Sequence, residues 1–188
     1  IIRNISISAW NYAVSFVKPI GDSWIRTYKK YVKHGPAIYN PDGGHFSGFK
    51  LMGAVIAFSR HLKKILGPDE KNVGIMLPPS PAGVIVNLAL WLLGKTNVNL
   101  NYTSSVDNVK FCAARADVKT VITSRQFVEK LKMRGNDYSQ IASDKLRIFY
   151  AEDFMKVIPK AKIAFYLVFC IIAPCWLIKF CFRKRVKL

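Results

Sequence analysis

The stretch that most constrains the fold is residues 73–102, which read VGIMLPPSPAGVIVNLALWLLGKTNVNLNY. Its first part, residues 73–77, is a short apolar run that ends at two prolines. This pattern is typical of a buried strand closed by a turn. Ser80 and Pro81 follow in the form of a helix N-cap and a proline at the first helical position, where the missing N–H costs nothing. The sequence therefore predicts a strand that leads directly into a helix.

The predicted helix covers residues 82–93 and is apolar on nearly every side, with Asn87 as its one polar side chain. A helix of this kind needs neighbouring elements on several sides. Gly94 is placed to end the helix, and residues 96–100 form a second predicted strand. Strand, covered helix and strand within about 30 residues make a βαβ unit, whose two strands are parallel.

Strands and helices also alternate along the rest of the chain, which at 188 residues is long enough for one ordinary domain. Ser47 is a candidate N-cap for the first long helix, and Gly67 with Pro68 ends that helix. The alternation predicts an α/β fold with a partial doubly wound parallel sheet, right-handed crossovers and a C-terminal apolar helix. The further predicted strands lie at 36–40, 119–123 and 147–150, a turn at 41–44, and the further helices at 48–66, from Ser104 or Ser105 to Arg115, and at 127–133.

The chain is strongly basic, and the charge is unevenly distributed. The formal net charge is +18, yet all 11 acidic residues lie between Asp22 and Asp153. Residues 155–188 carry eight Lys or Arg and no acid, and residues 1–33 carry six against Asp22 alone. Both ends are therefore predicted to meet phosphate groups, either on an anionic membrane surface or on nucleic acid.

Nucleic acid is the less favoured of these two partners. Residues 1–20 have no firm period and predict either a linker or a short surface helix. The helix predicted after Asp22 or Ser23 interleaves aromatic and basic residues as far as Lys33. One packed face and one solvated face are the commoner cause of such a pattern.

A long apolar segment lies near the C-terminus. Residues 163–178 contain no charge, and Ile163–Phe182 carries only Lys179, which makes a run close to the ~20 residues that cross a bilayer core. Basic residues flank it on both sides, so the positive-inside rule assigns no orientation. A spanning helix, an interfacial or re-entrant segment and a buried core helix all remain open. We expect this segment to associate with the cytoplasmic face of a membrane, which in a bacterium is the inner membrane.

Candidate metal ligands and nucleophiles form no recognisable constellation. His34, His45 and His61 are scattered, and we expect them to be solvent-facing or locally bonded. The cysteines form no C-x-x-C pair, so the sequence predicts neither a disulfide framework nor a zinc site. These cysteines are Cys112, Cys170, Cys175 and Cys181.

Several segments together resemble a known family. The order and spacing of GIMLPPSPAGVIVNLAL, GKTNVNLNYT and VKTVITSRQFVEKL are similar to the N-terminal subdomain of the AMP-forming acyl-activating ligases, the acyl-CoA synthetase-like superfamily. Within that superfamily, the three segments look most like the ligase half of the bifunctional acyl-[acyl-carrier-protein] synthetase/2-acylglycerophosphoethanolamine acyltransferases. The resemblance covers residues 35–153. It divides the chain into a basic linker or helix (1–34), a partial ligase subdomain (35–155) and a basic apolar membrane-associated segment (156–188).

The resemblance implies a two-step ligation that uses ATP and Mg²⁺. A fatty acid carboxylate attacks the α-phosphate of ATP and releases pyrophosphate, and the thiol of CoA or acyl carrier protein then takes the acyl group. The family's Ser/Thr/Gly-rich phosphate loop with its lysine does not occur in this sequence, nor does the acyltransferase motif His-x-x-x-x-Asp. No catalytic, cofactor-binding or metal-binding residue is therefore carried over. We expect the chain to be an N-terminal fragment without a signal peptide, and inactive by itself.

Two alternatives from other classes remain open. One is a non-catalytic, membrane-anchored α/β protein that binds a partner or anionic lipid. The other is a basic nucleic-acid-binding protein, whose affinity would fall steeply with salt.

Overall fold

Helices and strands alternate through the computed structural model of the chain, which describes residues 2–16, 20–32, 35–39, 44–157 and 159–182. Short irregular helices lie at Tyr28–Val32, which is π-helical, and at Tyr138–Ile141, which is 3₁₀. The helices are α1 Ile2–Phe16, α2 Ile20–Thr27, α3 Gly48–Ile65, α4 Pro81–Leu92, α5 Val106–Arg115, α6 Arg125–Met133, α7 Ala151–Val157, α8 Lys160–Ile172 and α9 Cys175–Phe182. The strands are β1 Pro36–Tyr39, β2 His45–Ser47, β3 Asn72–Ile75, β4 Thr96–Asn99, β5 Thr120–Thr123 and β6 Arg147–Tyr150.

The centre of the fold is a four-stranded parallel sheet in the order β4-β3-β5-β6. Ile75 of β3 pairs with Asn99 of β4 on one side and with Ile122 of β5 on the other, and Thr123 of β5 pairs with Tyr150 of β6. In this order the chain moves outward from β3 to β4, returns past β3 to β5, and continues to β6. The predicted parallel βαβ unit and the α/β fold class are confirmed.

Helices cover both faces of the sheet, because successive side chains of a strand point to opposite faces. Ile122 belongs to a large apolar core formed with α3, α4 and α8. Its neighbour Val121 belongs to a second core formed with α5, α6 and the 3₁₀ turn. Two cores on opposite faces are what a doubly wound sheet requires.

Helix α4 begins and ends where the sequence predicts. The Ser80 Oγ accepts a hydrogen bond from the Gly83 N–H at 3.3 Å, and Pro81 occupies the first helical position. Gly94 has a φ of 66°, a left-handed conformation that glycine adopts without a steric penalty. Leu90 is fully buried, whereas Val84 remains 38% exposed, so the apolar helix is covered on several sides but not on all.

The other helix starts agree with the sequence in part. Ser105 rather than Ser104 caps α5, since its hydroxyl accepts from the Asn108 N–H at 3.3 Å. Ser47 occupies the N-cap position of α3, as predicted, but its side chain makes no cap hydrogen bond. The carbonyl of Gly35, just before β1, accepts from the Gly48 N–H at 3.1 Å. The first N–H of α3 is therefore satisfied by the backbone.

The apolar C-terminal segment forms two helices instead of the single one predicted. Pro174 lacks an N–H, and it holds Ala173 in an extended conformation with ψ of 135°, which separates α8 from α9. Tyr166, Cys170 and Ile178 are buried in the core that α3 forms. Among the described residues, no helix has the combination of length and hydropathy that crossing a bilayer needs.

The N-terminal region is helical in its described part. Of the two structures predicted for residues 1–20, α1 corresponds to the surface helix, and side chains 5–13 are all exposed. Ile25 and Tyr28 are buried in the same core as α3, and the ring of Trp24 lies 5.2 Å from that of Tyr28. Most of the turn predicted at 41–44, along with His34, lies outside the residues that the structure describes.

Candidate functional site

The strand order points to the carboxyl edge of the sheet as the candidate site. Open α/β sheets bind ligands beyond the carboxyl ends of the strands, at the point where the strand order reverses. Here that point lies between β3 and β5. The Thr123 Oγ1 donates a 2.7 Å hydrogen bond to the carbonyl of Met76 and ties the two strand ends together. Helices α4 and α6 both begin at this edge, after Ser80 and Ser124.

An apolar groove of about 390 Å³ opens beside this edge, between α3, α4, α7 and α8. Ala82 lies in the first turn of α4 and Ala151 follows β6 directly, so the groove reaches the start of α4 and the end of β6. Lys50 is the one charged residue among the described residues that line it. The groove is lined by Phe46, Lys50, Ala54, Ala57, Phe58, Ala82, Ile85, Val86, Ala151, Phe154, Ile163 and Leu167.

Aromatic rings form one wall of this groove. Phe58 of α3 and Phe154 of α7 meet edge to face, with 4.6 Å between the ring centroids. His61 packs behind them, with its ring centroid 5.7 Å from the centroids of both Phe149 and Phe154. Burial lowers the pKa of His61, and the nearby charge of Lys64 lowers it further. His61 is therefore a neutral packing residue at physiological pH.

A cluster of polar side chains lies at the other side of the carboxyl edge, where α6 begins. One carboxylate oxygen of Glu152, Oε1, accepts from the Ser124 Oγ at 2.6 Å and from the Arg125 N–H at 2.9 Å. The Arg125 guanidinium pairs with Asp153 at 2.7 Å and lies 4.0 Å from the centre of the Tyr150 ring. Glu152 supplies the negative charge that the N-terminus of α6 attracts. This helix end is therefore occupied by the protein's own carboxylate.

Asn87, the single polar side chain of α4, has a structural role. Its Nδ2 donates to the carbonyl of Gly83 at 2.8 Å, and its Oδ1 accepts from the Asn97 Nδ2 at 2.8 Å. These bonds join α4 to β4 and satisfy a polar group on an otherwise apolar helix.

The described histidines and cysteines do not form a common site. His45 is exposed beside Tyr39, and His61 lies behind the groove. The buried thiol of Cys170 has its pKa raised by burial to about 12, whereas Cys112 and Cys181 are exposed.

The described residues do not fit ATP or Mg²⁺. In the described part of the chain, no three His, Cys, Asp or Glu side chains are close enough to hold a metal ion. The full sequence also has no Ser/Thr/Gly-rich phosphate loop.

The groove could not be predicted from the sequence. It forms only where α3 and α4 pack against α7 and α8, which come much later in the chain. Its residues Ala82, Ile85 and Val86 lie in the segment GIMLPPSPAGVIVNLAL, but nothing in that segment marks them as lining a groove. The one local signal is a row of small residues on one face of α3, where Ala54 and Ala57 are three positions apart. Small side chains at such spacing leave room beside a helix.

Comparisons with known proteins agree with this fold. The sequence model of the AMP-binding enzyme family matches residues 27–161. The N-terminal subdomain of Klebsiella oxytoca NpsA, in complex with 3-hydroxyanthranilyl-AMSN, superposes with a TM-score of 0.62 at 15% identity, over 76% of this chain and 33% of that one. O-succinylbenzoate coenzyme A synthetase (MenE) from Bacillus subtilis, in complex with AMP, gives 0.59 at 18% identity, over 73% and 33%.

A third similar structure is the amide bond synthetase McbA from Marinactinospora thermotolerans, with a TM-score of 0.54 at 18% identity, over 68% of this chain and 25% of that one. The chain thus spans about a third or less of the length of these structures. At such identities the superpositions establish the fold, and the family match covers most of the sequence. The chain belongs to the AMP-binding enzyme family.

Proposed function

We propose that this chain corresponds to the N-terminal part of an ATP-dependent, AMP-forming ligase that activates fatty acids for transfer to CoA or acyl carrier protein. The observation that carries the proposal is the family match over residues 27–161, on a sheet whose strand order belongs to the doubly wound class. The chain's own contribution is a wall that binds and shields the acid. The adenylating groups, with the sites for ATP and Mg²⁺, are assigned to the rest of the ligase.

The lining of the groove supports a fatty acid as the substrate. Its volume of about 390 Å³ falls within the usual range for ligand pockets of about 300–1,000 Å³. Each methylene transferred from water to such walls contributes about 0.8 kcal/mol. Lys50 supplies a positive charge for a carboxylate. Apart from Lys50, every described lining residue is apolar, which favours an aliphatic acid over a ring with polar substituents.

The segments that resemble the bifunctional acyl-[acyl-carrier-protein] synthetase/2-acylglycerophosphoethanolamine acyltransferases support a narrower version of the proposal. In that version the acyl carrier is acyl carrier protein, and the acyl group is destined for a lysophospholipid. The narrower resemblance, to the bifunctional enzymes, rests on the strand-and-turn sequence GIMLPPSP and the strand segment GKTNVNLNYT.

The proposal is tested by exchange of labelled pyrophosphate into ATP, measured with the complete product of the gene that encodes this chain. We expect exchange that depends on palmitate and not on 3-hydroxybenzoate or O-succinylbenzoate. The 188-residue chain alone should give no exchange. Exchange driven only by the aromatic acids would refute the fatty acid assignment. Exchange catalysed by the chain alone would refute the assignment of the adenylating groups to the rest of the ligase.

A further inference from the structure

Helices α8 and α9 each bury one side and expose the other. Tyr166 and Cys170 of α8 and Ile178 of α9 lie in the core that α3 forms. The outer sides of both helices also carry apolar side chains. These side chains are largely exposed, with exposed fractions from 50% at Ile171 to 79% at Phe180. These exposed residues, which we name the apolar outer face, are Phe165, Val168, Ile171, Ile172, Trp176 and Phe180.

The positions on each helix form a continuous stripe. Phe165, Val168 and Ile172 are three or four residues apart, and Trp176 and Phe180 are four apart, which places each set on one side of its helix. Exposed apolar residues are unremarkable when they are scattered singly, but a contiguous patch marks an interaction surface.

Positive charge borders this face. A pocket of about 410 Å³ at the end of α9 is lined by Arg60, Lys63 and Lys95 together with Phe180. Lys162 is exposed in the first turn of α8. In the full sequence, residues 155–188 hold eight Lys or Arg and no acid. The core of an interface between proteins is depleted in lysine, whereas interfacial helices combine Trp and Phe with a Lys- and Arg-rich border.

We propose that the apolar outer face docks on an anionic lipid bilayer surface, with α8 and α9 lying in the interface and the basic pocket meeting lipid phosphates. A helix that packs one side into a protein core presents only its other side to lipid, which suits an interfacial position. The cations attract the anionic headgroups, and the aromatic and aliphatic side chains enter the acyl boundary. The inference goes beyond the proposed ligase activity and does not depend on it, so either can fail while the other stands.

The test is co-sedimentation of the full chain with vesicles of equal parts phosphatidylcholine and phosphatidylglycerol, against vesicles of phosphatidylcholine alone. The combined variant Phe165→Gln/Trp176→Gln preserves the net charge and should lower the affinity for the mixed vesicles about tenfold or more. The matched control is Phe111→Gln/Met133→Gln, which changes two exposed apolar residues on α5 and α6 and should bind like the unmodified chain. Thermal unfolding confirms that both variants fold.

A second pair of variants tests the charge. Arg60→Gln/Lys63→Gln should weaken binding at low salt more than Lys110→Gln/Lys130→Gln, which removes the same charge from exposed positions elsewhere. Binding by the unmodified chain should persist in part at about 1 M salt, where the screening length falls to ~3 Å. Complete release at that salt would contradict insertion of the apolar face.

Four further outcomes would overturn the proposal. The first is failure of the chain to bind the mixed vesicles. The second is an equal loss of binding in the Phe165 and Phe111 variants. The third is a dimer, formed without lipid, that Phe165→Gln/Trp176→Gln abolishes, because the face would then belong to a second copy of the chain. Binding by the chain but not by the complete gene product would also contradict the proposal, since the face would be covered within the longer protein.

Discussion

Gly53 of α3 lies directly beneath Leu167 of α8. A Cβ at residue 53 would fall 2.5 Å from the Leu167 Cδ2 and 2.9 Å from its Cγ, distances that atoms in contact do not adopt. The absence of a side chain at Gly53 thus lets α8 approach α3 closely. This contact joins the C-terminal helices to the ligase-type core and closes one side of the groove.

The first prediction concerns that contact. Gly53→Ala should destabilise the fold by about 1–3 kcal/mol through overpacking, less the gain of about 1 kcal/mol that alanine brings to a helix interior. In a Leu167→Ala background the clash disappears, so the same substitution should become neutral or stabilising. Urea unfolding of the four proteins in this double-mutant cycle gives the coupling energy. Additive effects would contradict the close approach of α8 to α3.

The second prediction concerns the central helix. Leu90→Asp should abolish cooperative unfolding, because an unpaired buried carboxylate costs several kcal/mol against a total stability of about 5–15 kcal/mol. The matched control is Val84→Asp on the same helix, at a position that is 38% exposed, which should be tolerated. Circular dichroism during thermal unfolding distinguishes the two variants. A Leu90→Asp protein that melts like the control would show that α4 is not covered on that side.

The third prediction concerns Glu152. Glu152→Ala removes the acceptor for the Ser124 hydroxyl and the Arg125 N–H, and should cost about 1–2 kcal/mol, as the loss of a helix cap does. Asp153→Ala breaks only a partly exposed ion pair with Arg125 and should cost about 0–1 kcal/mol. Denaturant unfolding measures both. Equal costs would mean that Glu152 does not hold the N-terminus of α6.

The fourth prediction concerns the cysteines and pH. At pH 8 a thiol reagent should modify the exposed Cys112 and Cys181 quickly and the buried Cys170 only after unfolding. Burial raises the pKa of Cys170 to about 12, from an ordinary value of 9.0. The folded state therefore favours the neutral thiol, and its contribution to stability is present below pH 9 and is lost as the pH rises toward 12.

Cys170→Ala serves as the control for that pH dependence. It should reduce the fall in stability between pH 9 and pH 12, because the titrating group is gone. Rapid labelling of Cys170 in the folded protein would contradict the packing of α8 on the core.

Local signals in the sequence were enough to predict the βαβ unit. Ser80, Pro81 and Gly94 determine the ends of α4 through their own chemistry, and the strands predicted at 73–77 and 96–100 become β3 and β4. These features depend on neighbours only a few residues away. The strand order needed information that no local pattern contains, since it depends on which side of β3 the chain returns to.

The predictions that differ from the structure also have specific physical causes. Ser47 occupies the N-cap position that its residue type predicts, but its side chain makes no cap hydrogen bond, and the Gly35 carbonyl accepts from the first N–H of α3. The apolar run from 163 to 182 was interpreted as one helix because of its hydropathy, although Pro174 marks the break. The groove and the role of Gly53 depend on the packing of α8 against α3, which brings together residues that no sequence window contains.

Calorimetric titration of the chain with palmitate tests directly whether the groove binds a fatty acid. We expect palmitate to bind and 3-hydroxybenzoate not to bind. Ala54→Phe and Ala82→Phe, which place a ring in the groove, should each weaken palmitate binding about tenfold or more. Ala114→Phe, an exposed position on α5, should leave binding unchanged. Palmitate affinity that is the same in all four proteins, or a preference for the aromatic acid, would contradict the assignment of this groove to a fatty acid.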